Sequence, residues 1–146
     1  MSNHLLRLTV LLLSFQLGDA TTAAAQSPPA CGLLGTWRII EFVDWDENRS
    51  PSYNLGMHPT GVLIYTATGT VSVQLQGDST MNPNPYTAYF GTYQTTANCT
   101  GVYHRIVGSN DPSLIGNNEL RHFRMVGDTL VIGDGRTWRR RFVRER

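Results

Sequence analysis

The chain has no lysine: all twelve basic residues are arginine. Set against eleven acidic residues they leave a formal net charge of +1 at pH 7. Such a balance exerts no strong pull towards nucleic acid or an anionic membrane. An arginine-only set fits a GC-rich coding bias better than any function. Histidine is also sparse, at positions 4, 58, 104 and 122, with no H-x-x-x-H or cysteine spacing that would make a metal site. There is no G-x-S-x-G nucleophile elbow and no glycine loop suited to cradling phosphate. No cofactor is therefore expected, and no catalytic residue is assigned. Past the N-terminal leader, no segment sustains helical periodicity for ten residues.

The N-terminus is a separate matter. His4 and Arg7 precede the apolar run LTVLLLSFQL, which is followed by GDATTAAAQ with small residues at Ala23 and Ala25. That order is the pattern of a secretory signal peptide, expected over residues 1–25. The apolar run is too short to cross roughly 30 Å of hydrocarbon, so no stable membrane anchor is expected. Residues 26–33 read as a flexible leader and 34–146 as one folded domain, exported to the periplasm or secreted. In an oxidising compartment the two cysteines, Cys31 and Cys99, are expected to pair and tether the N-terminal segment to the domain. Asn48 and Asn98 stand in glycosylation sequons, matches too short to carry an argument.

What is present is a succession of short strands separated by turn residues. GTWRIIEFVD, TGVLIYT, TVSVQLQ, AYFGTYQT, GVYHRIVGS, ELRHFRMVG, DTLVIG and RTWRRRFVRE are the candidates. Connectors such as ATG, GD and GDGR supply glycine where a tight hairpin needs it, so neighbouring strands should pair antiparallel. The expected fold is all-β: a single antiparallel up-and-down barrel of about eight strands, closed so that no sheet edge is left open.

Alternation assigns faces. Val71, Val73 and Leu75 share one side of their strand, and Val102, His104 and Ile106 share one side of theirs. Arg121 goes with Phe123 and Met125. On the first strand, strict alternation puts Trp37, Ile39, Glu41 and Val43 inward and leaves Arg38, Ile40 and Phe42 outside. Ile40 and Phe42 would then form an apolar seam for a homodimer. The expected inward polar set is Glu41, Tyr65, Tyr93, His104 and Arg121. A dry pocket with a few placed polar groups suits a small apolar molecule. The competing expectation is a Glu41 to Arg121 ion pair bridging two strands in a filled core.

In order and spacing, LLGTWRIIEF, PTGVLIYTATGTVSVQL, AYFGTYQT, GVYHRIVGS and ELRHFRMVGDTLVIG resemble the bacterial lipocalin-like domain family, and Gly35-Thr36-Trp37 is similar to the Gly-x-Trp mark of lipocalins at large. The resemblance implies a small barrel with Trp37 closing one end under an arginine from the last strand. Arg140, which shares a face with Trp138 and Phe142, is the expected partner, with Arg139 or Arg141 if the register slips by one. The signal peptide, the eight-strand reading and the inward polar set together lead to the expectation of an exported binder of a small, mostly apolar molecule. A cyclase or isomerase acting on a hydrophobic intermediate in the same barrel, using a carboxylate beside His104, is the alternative. GRTWRRRFVRER reads as a solvated arginine-rich strand, with no nucleic-acid partner.

Overall fold

The structure is a computed structural model that describes residues 31–146. The expected signal peptide and most of the leader lie outside the described residues. Strands follow one another as β1 Gly35–Trp45, β2 Pro51–Ser52, β3 Thr60–Tyr65, β4 Thr70–Gln76, β5 Tyr86–Thr95, β6 Gly101–Ser109, β7 Asn118–Val126, β8 Thr129–Ile132 and β9 Trp138–Arg144. All pairs are antiparallel. The short β2 is a stub beside the end of β1, while β1 and β3 to β9 run in sequence order and close through β1 and β9. This is the eight-strand up-and-down barrel expected from the sequence. Its connectivity follows from hairpins too short for any crossover, as where Gly69, at φ +84°, turns β3 into β4. The only described helix is a 3-10 turn at Pro112–Leu114. No helix among the described residues is long and apolar enough to cross a membrane.

The alternating faces of β4 and β6 are as their patterns require. Val71, Val73, Leu75, Val102, His104 and Ile106 are all buried. On β1 the alternation breaks. Ile39 pairs with Phe142 and Glu41 with Arg141, so Ile40 is an extra residue opposite no partner. Such a β-bulge exchanges the two faces for the remainder of the strand. Trp37 and Ile39 point inward as expected. Beyond the bulge it is Phe42 and Asp44 that line the interior, while Glu41 turns outward. Phe42 therefore shares no outer face with Ile40, and the expected apolar seam is not formed.

One end of the barrel is sealed. Trp37 is fully buried and its indole N–H donates to the Leu33 carbonyl at 2.7 Å. Its arginine partner is Arg144, whose guanidinium carbon lies 4.0 Å from the indole centroid. The expectation for Arg140 was misplaced because β9 sets Trp37 opposite Arg144, near the end of both strands. Arg144 also donates to the carbonyls of Leu34 at 2.6 Å and Gly32 at 2.7 Å. Gly35 is glycine for a reason visible here. A Cβ at that position would sit 2.9 Å from the Arg144 Nη1, and its φ of +121° disfavours any side chain. The Cys31 to Cys99 disulfide, spanning 68 residues, ties the same N-terminal segment to the turn between β5 and β6.

Replacing Arg144 by alanine should therefore lower unfolding free energy by about 1–3 kcal/mol, the sum of a partly desolvated cation–π contact and hydrogen bonds to two carbonyls. Arg141→Ala, on the outer wall, should change it by less than about 0.5 kcal/mol; equilibrium urea unfolding checks both. The double variant Cys31→Ser and Cys99→Ser should lose about 2–5 kcal/mol in the same assay.

Candidate functional site

The opposite end of the barrel opens into a cavity of about 480 Å³. That volume lies within the range of small-molecule pockets, roughly 300–1,000 Å³. Its apolar walls come from several strands: Phe42 on β1, Leu63 on β3, Val73 and Leu75 on β4, Ile132 on β8, and Trp138 and Phe142 on β9. Leu114, in the 3-10 turn between β6 and β7, also borders it. Each strand delivers these residues at alternate positions, so the lining is the inward face of the barrel itself.

The polar groups form two clusters. In the first, His104 lies between two tyrosines: the Tyr65 hydroxyl meets Nε2 at 2.8 Å and the Tyr89 hydroxyl meets Nδ1 at 2.8 Å. Tyr65 is packed edge-on against Tyr93, with ring centroids 4.8 Å apart, and the Tyr93 hydroxyl donates to the Thr66 carbonyl at 3.0 Å. Burial holds the His104 imidazole down to about pKa 3, with Arg121 adding to the effect. Burial likewise pushes the Tyr65 hydroxyl well above its ordinary value, and neighbouring Tyr89 and Tyr93 add to this. Tyr89 is raised by burial too, against the opposing charge of Arg121.

In the second cluster Arg140 reaches inward from β9. It donates to an Asp44 carboxylate oxygen at 2.8 Å and to the Val43 carbonyl at 2.6 Å, and its guanidinium carbon lies 3.3 Å from the Phe42 ring centroid. The other Asp44 oxygen accepts from the Asn54 side chain at 2.8 Å. Burial lowers the Arg140 pKa from its ordinary value, opposed by the Asp44 partner. Arg121 enters from β7, 5.4 Å from the centroid of Trp138 and 3.7 Å from the Glu119 carboxylate.

Of the five residues expected inward, His104 and Arg121 line the cavity. Tyr65 is wholly buried and reaches the cavity through His104, while Tyr93 packs edge-on against the Tyr65 ring. Glu41 is not among them. It forms a two-pronged pair with Arg139 on the outer wall, at 2.8 and 3.0 Å, and so is the partner of neither Arg121 nor His104. Sequence reasoning missed Phe42, Asp44 and Tyr89, and it set Arg140, on the inward face as expected, over Trp37 when its partner is Asp44. Tyr89 could have been found, because it shares β5 parity with Tyr93; Phe42 and Asp44 could not, because a bulge leaves no mark in an apolar run. Among the described residues there is no group of three or more His, Cys, Asp or Glu that could hold a metal ion.

The arrangement can enclose an apolar body and offer it a few fixed donors at one side. A lipocalin-like domain model matches residues 34–82 and 76–140, which together run from the start of β1 into β9. No curated protein matches the chain. The span of that family match, on a closed eight-strand barrel sealed by Trp37, places the chain in the lipocalin-like domain family.

Proposed function

We propose that this protein is an exported binder of a small, mostly apolar molecule held in the barrel interior. The observation that carries the reading is the cavity of about 480 Å³, open at one end of a barrel whose other end is plugged by Trp37 and Arg144. A core built only for stability would close to crystal-like density and leave no such space. The Cys31 to Cys99 disulfide supports export, because such bonds persist in oxidising compartments.

The protonation states favour binding over acid–base catalysis. A histidine with a pKa of about 3 is neutral at pH 7 and a weak base, and both its ring nitrogens are already engaged by tyrosines. The carboxylate that a cyclase or isomerase reading set beside it, Glu41, is on the other side of the wall. The trio of Tyr65, His104 and Tyr89 is a neutral hydrogen-bonded strut that shapes the cavity floor.

The binding reading is tested by titrating the full chain with the neutral fluorophore N-phenylnaphthylamine. Saturable uptake at one probe per chain is expected, weakened about tenfold or more in Leu75→Trp, which fills the cavity near β4. Folded protein that takes up no probe would sink the reading.

The neutral imidazole has a second consequence. The unfolded chain binds a proton at His104 near pH 6.5 and the folded chain only near pH 3, so stability present above pH 6.5 is lost as pH falls through this window. The expected slope from this group is up to about 1.4 kcal/mol per pH unit. Urea unfolding between pH 7 and pH 5, above the range where carboxylates contribute, should show it in the native sequence and not in His104→Gln.

A further inference from the structure

Two guanidinium groups crowd one indole in the cavity. Arg121 and Arg140 lie 5.4 and 5.3 Å from the centroid of Trp138. Like charges brought together away from water are costly without a counter-charge. Arg140 has one, since Asp44 sits 2.8 Å away, and its Nη1 is further spent on the carbonyls of Val43 and Arg139. Arg121 has much less. Its Glu119 contact at 3.7 Å is beyond hydrogen-bond reach, and the second Glu119 oxygen is taken by Asn117 at 3.1 Å. Yet its side chain is only 24% exposed and it borders the apolar cavity. The Tyr89 oxygen accepts from one side of the guanidinium, but a forked donor in such surroundings calls for a second acceptor and a close counter-charge, and Glu119 at 3.7 Å supplies neither at hydrogen-bond distance.

The tyrosine network supplies a second donor at the same place. Tyr65 is fully buried, and the Nε2 of His104 is the acceptor within reach of its hydroxyl proton. Nε2 therefore accepts, and the ring proton resides on Nδ1, which donates to the Tyr89 oxygen. The Tyr89 proton is then left for another acceptor, and Tyr89 lines the cavity beside Arg121.

We propose that Arg121 and Tyr89 together receive a carboxylate, so that the cavity selects an apolar molecule ending in that group. The proposal rests on the binding reading above and narrows it. A carboxylate offers Arg121 two in-plane acceptor oxygens, matching the guanidinium fork, and one of them can also take the Tyr89 proton. An alcohol of equal length offers a single oxygen and no charge.

The test compares dodecanoic acid with dodecanol as competitors for N-phenylnaphthylamine on the full chain at pH 8. The acid should bind about tenfold to hundredfold more tightly than the alcohol, as expected for hydrogen bonds to a charged group. Arg121→Gln should collapse that ratio towards one, Tyr89→Phe should lower it, and Arg105→Gln on the outer wall should leave it unchanged. Equal affinities in the native protein, which need no variant to measure, would overturn the carboxylate assignment while leaving the binding reading intact. So would a ratio that survives Arg121→Gln. Displacement of the probe by neither competitor overturns the assignment, and failure of the probe itself to bind removes the binding reading with it.

Discussion

The pairing of β1 with β9 turns a row of hairpins into a closed barrel, and the rest of the molecule depends on how that seam is made. Near the start of β1 it sets Trp37 opposite Arg144 and so seals one end. Past Ile40 it sets Phe42 opposite Arg140 and Asp44 opposite Trp138, and so furnishes the other. One unpaired residue separates these two regimes. Without the bulge, Glu41 would face inward and Asp44 outward, and the cavity would hold a different carboxylate at a different depth.

The two ends divide the labour between rigidity and access. At the closed end the disulfide, the Trp37 indole and the Arg144 guanidinium all act on the segment from Cys31 to Gly35, so the carbonyls of Gly32, Leu33 and Leu34 are satisfied and the segment cannot lift from the barrel cheaply. At the open end, Leu114 from the connection between β6 and β7 and Thr137 from that between β8 and β9 border the cavity. The polar residues between them are held by one another: no buried side-chain nitrogen or oxygen among the described residues lacks a hydrogen-bond partner. Arg121 stands apart because it is only partly withdrawn from water and has no hydrogen-bonded carboxylate, which is the condition of a group that can still take a ligand.

Much of the fold was legible in the sequence. Val71, Val73 and Leu75 alternate so regularly that only one face could be buried, and glycine in the short connectors permitted only antiparallel neighbours. The inward direction of Tyr65, His104 and Arg121 was legible for the same local reasons, and the Cys31 to Cys99 pairing because two cysteines leave each other as the one possible partner. The candidate site was legible only in part. Glu41 and Phe42 exchanged faces, the indole took Arg144 in place of Arg140, and Arg140 turned to Asp44.

The sequence by itself determined the strands, their order and their dry faces, because these follow from side-chain period and turn chemistry within a few residues of each position. Tertiary structure alone decided the seam. Whether Ile40 bulges depends on how β9, about a hundred residues further along the chain, is brought back to β1, and no local pattern records that. Every assignment that crossed the seam shifted for this reason: Glu41 went to Arg139, Trp37 to Arg144, and Phe42 with Asp44 to the cavity.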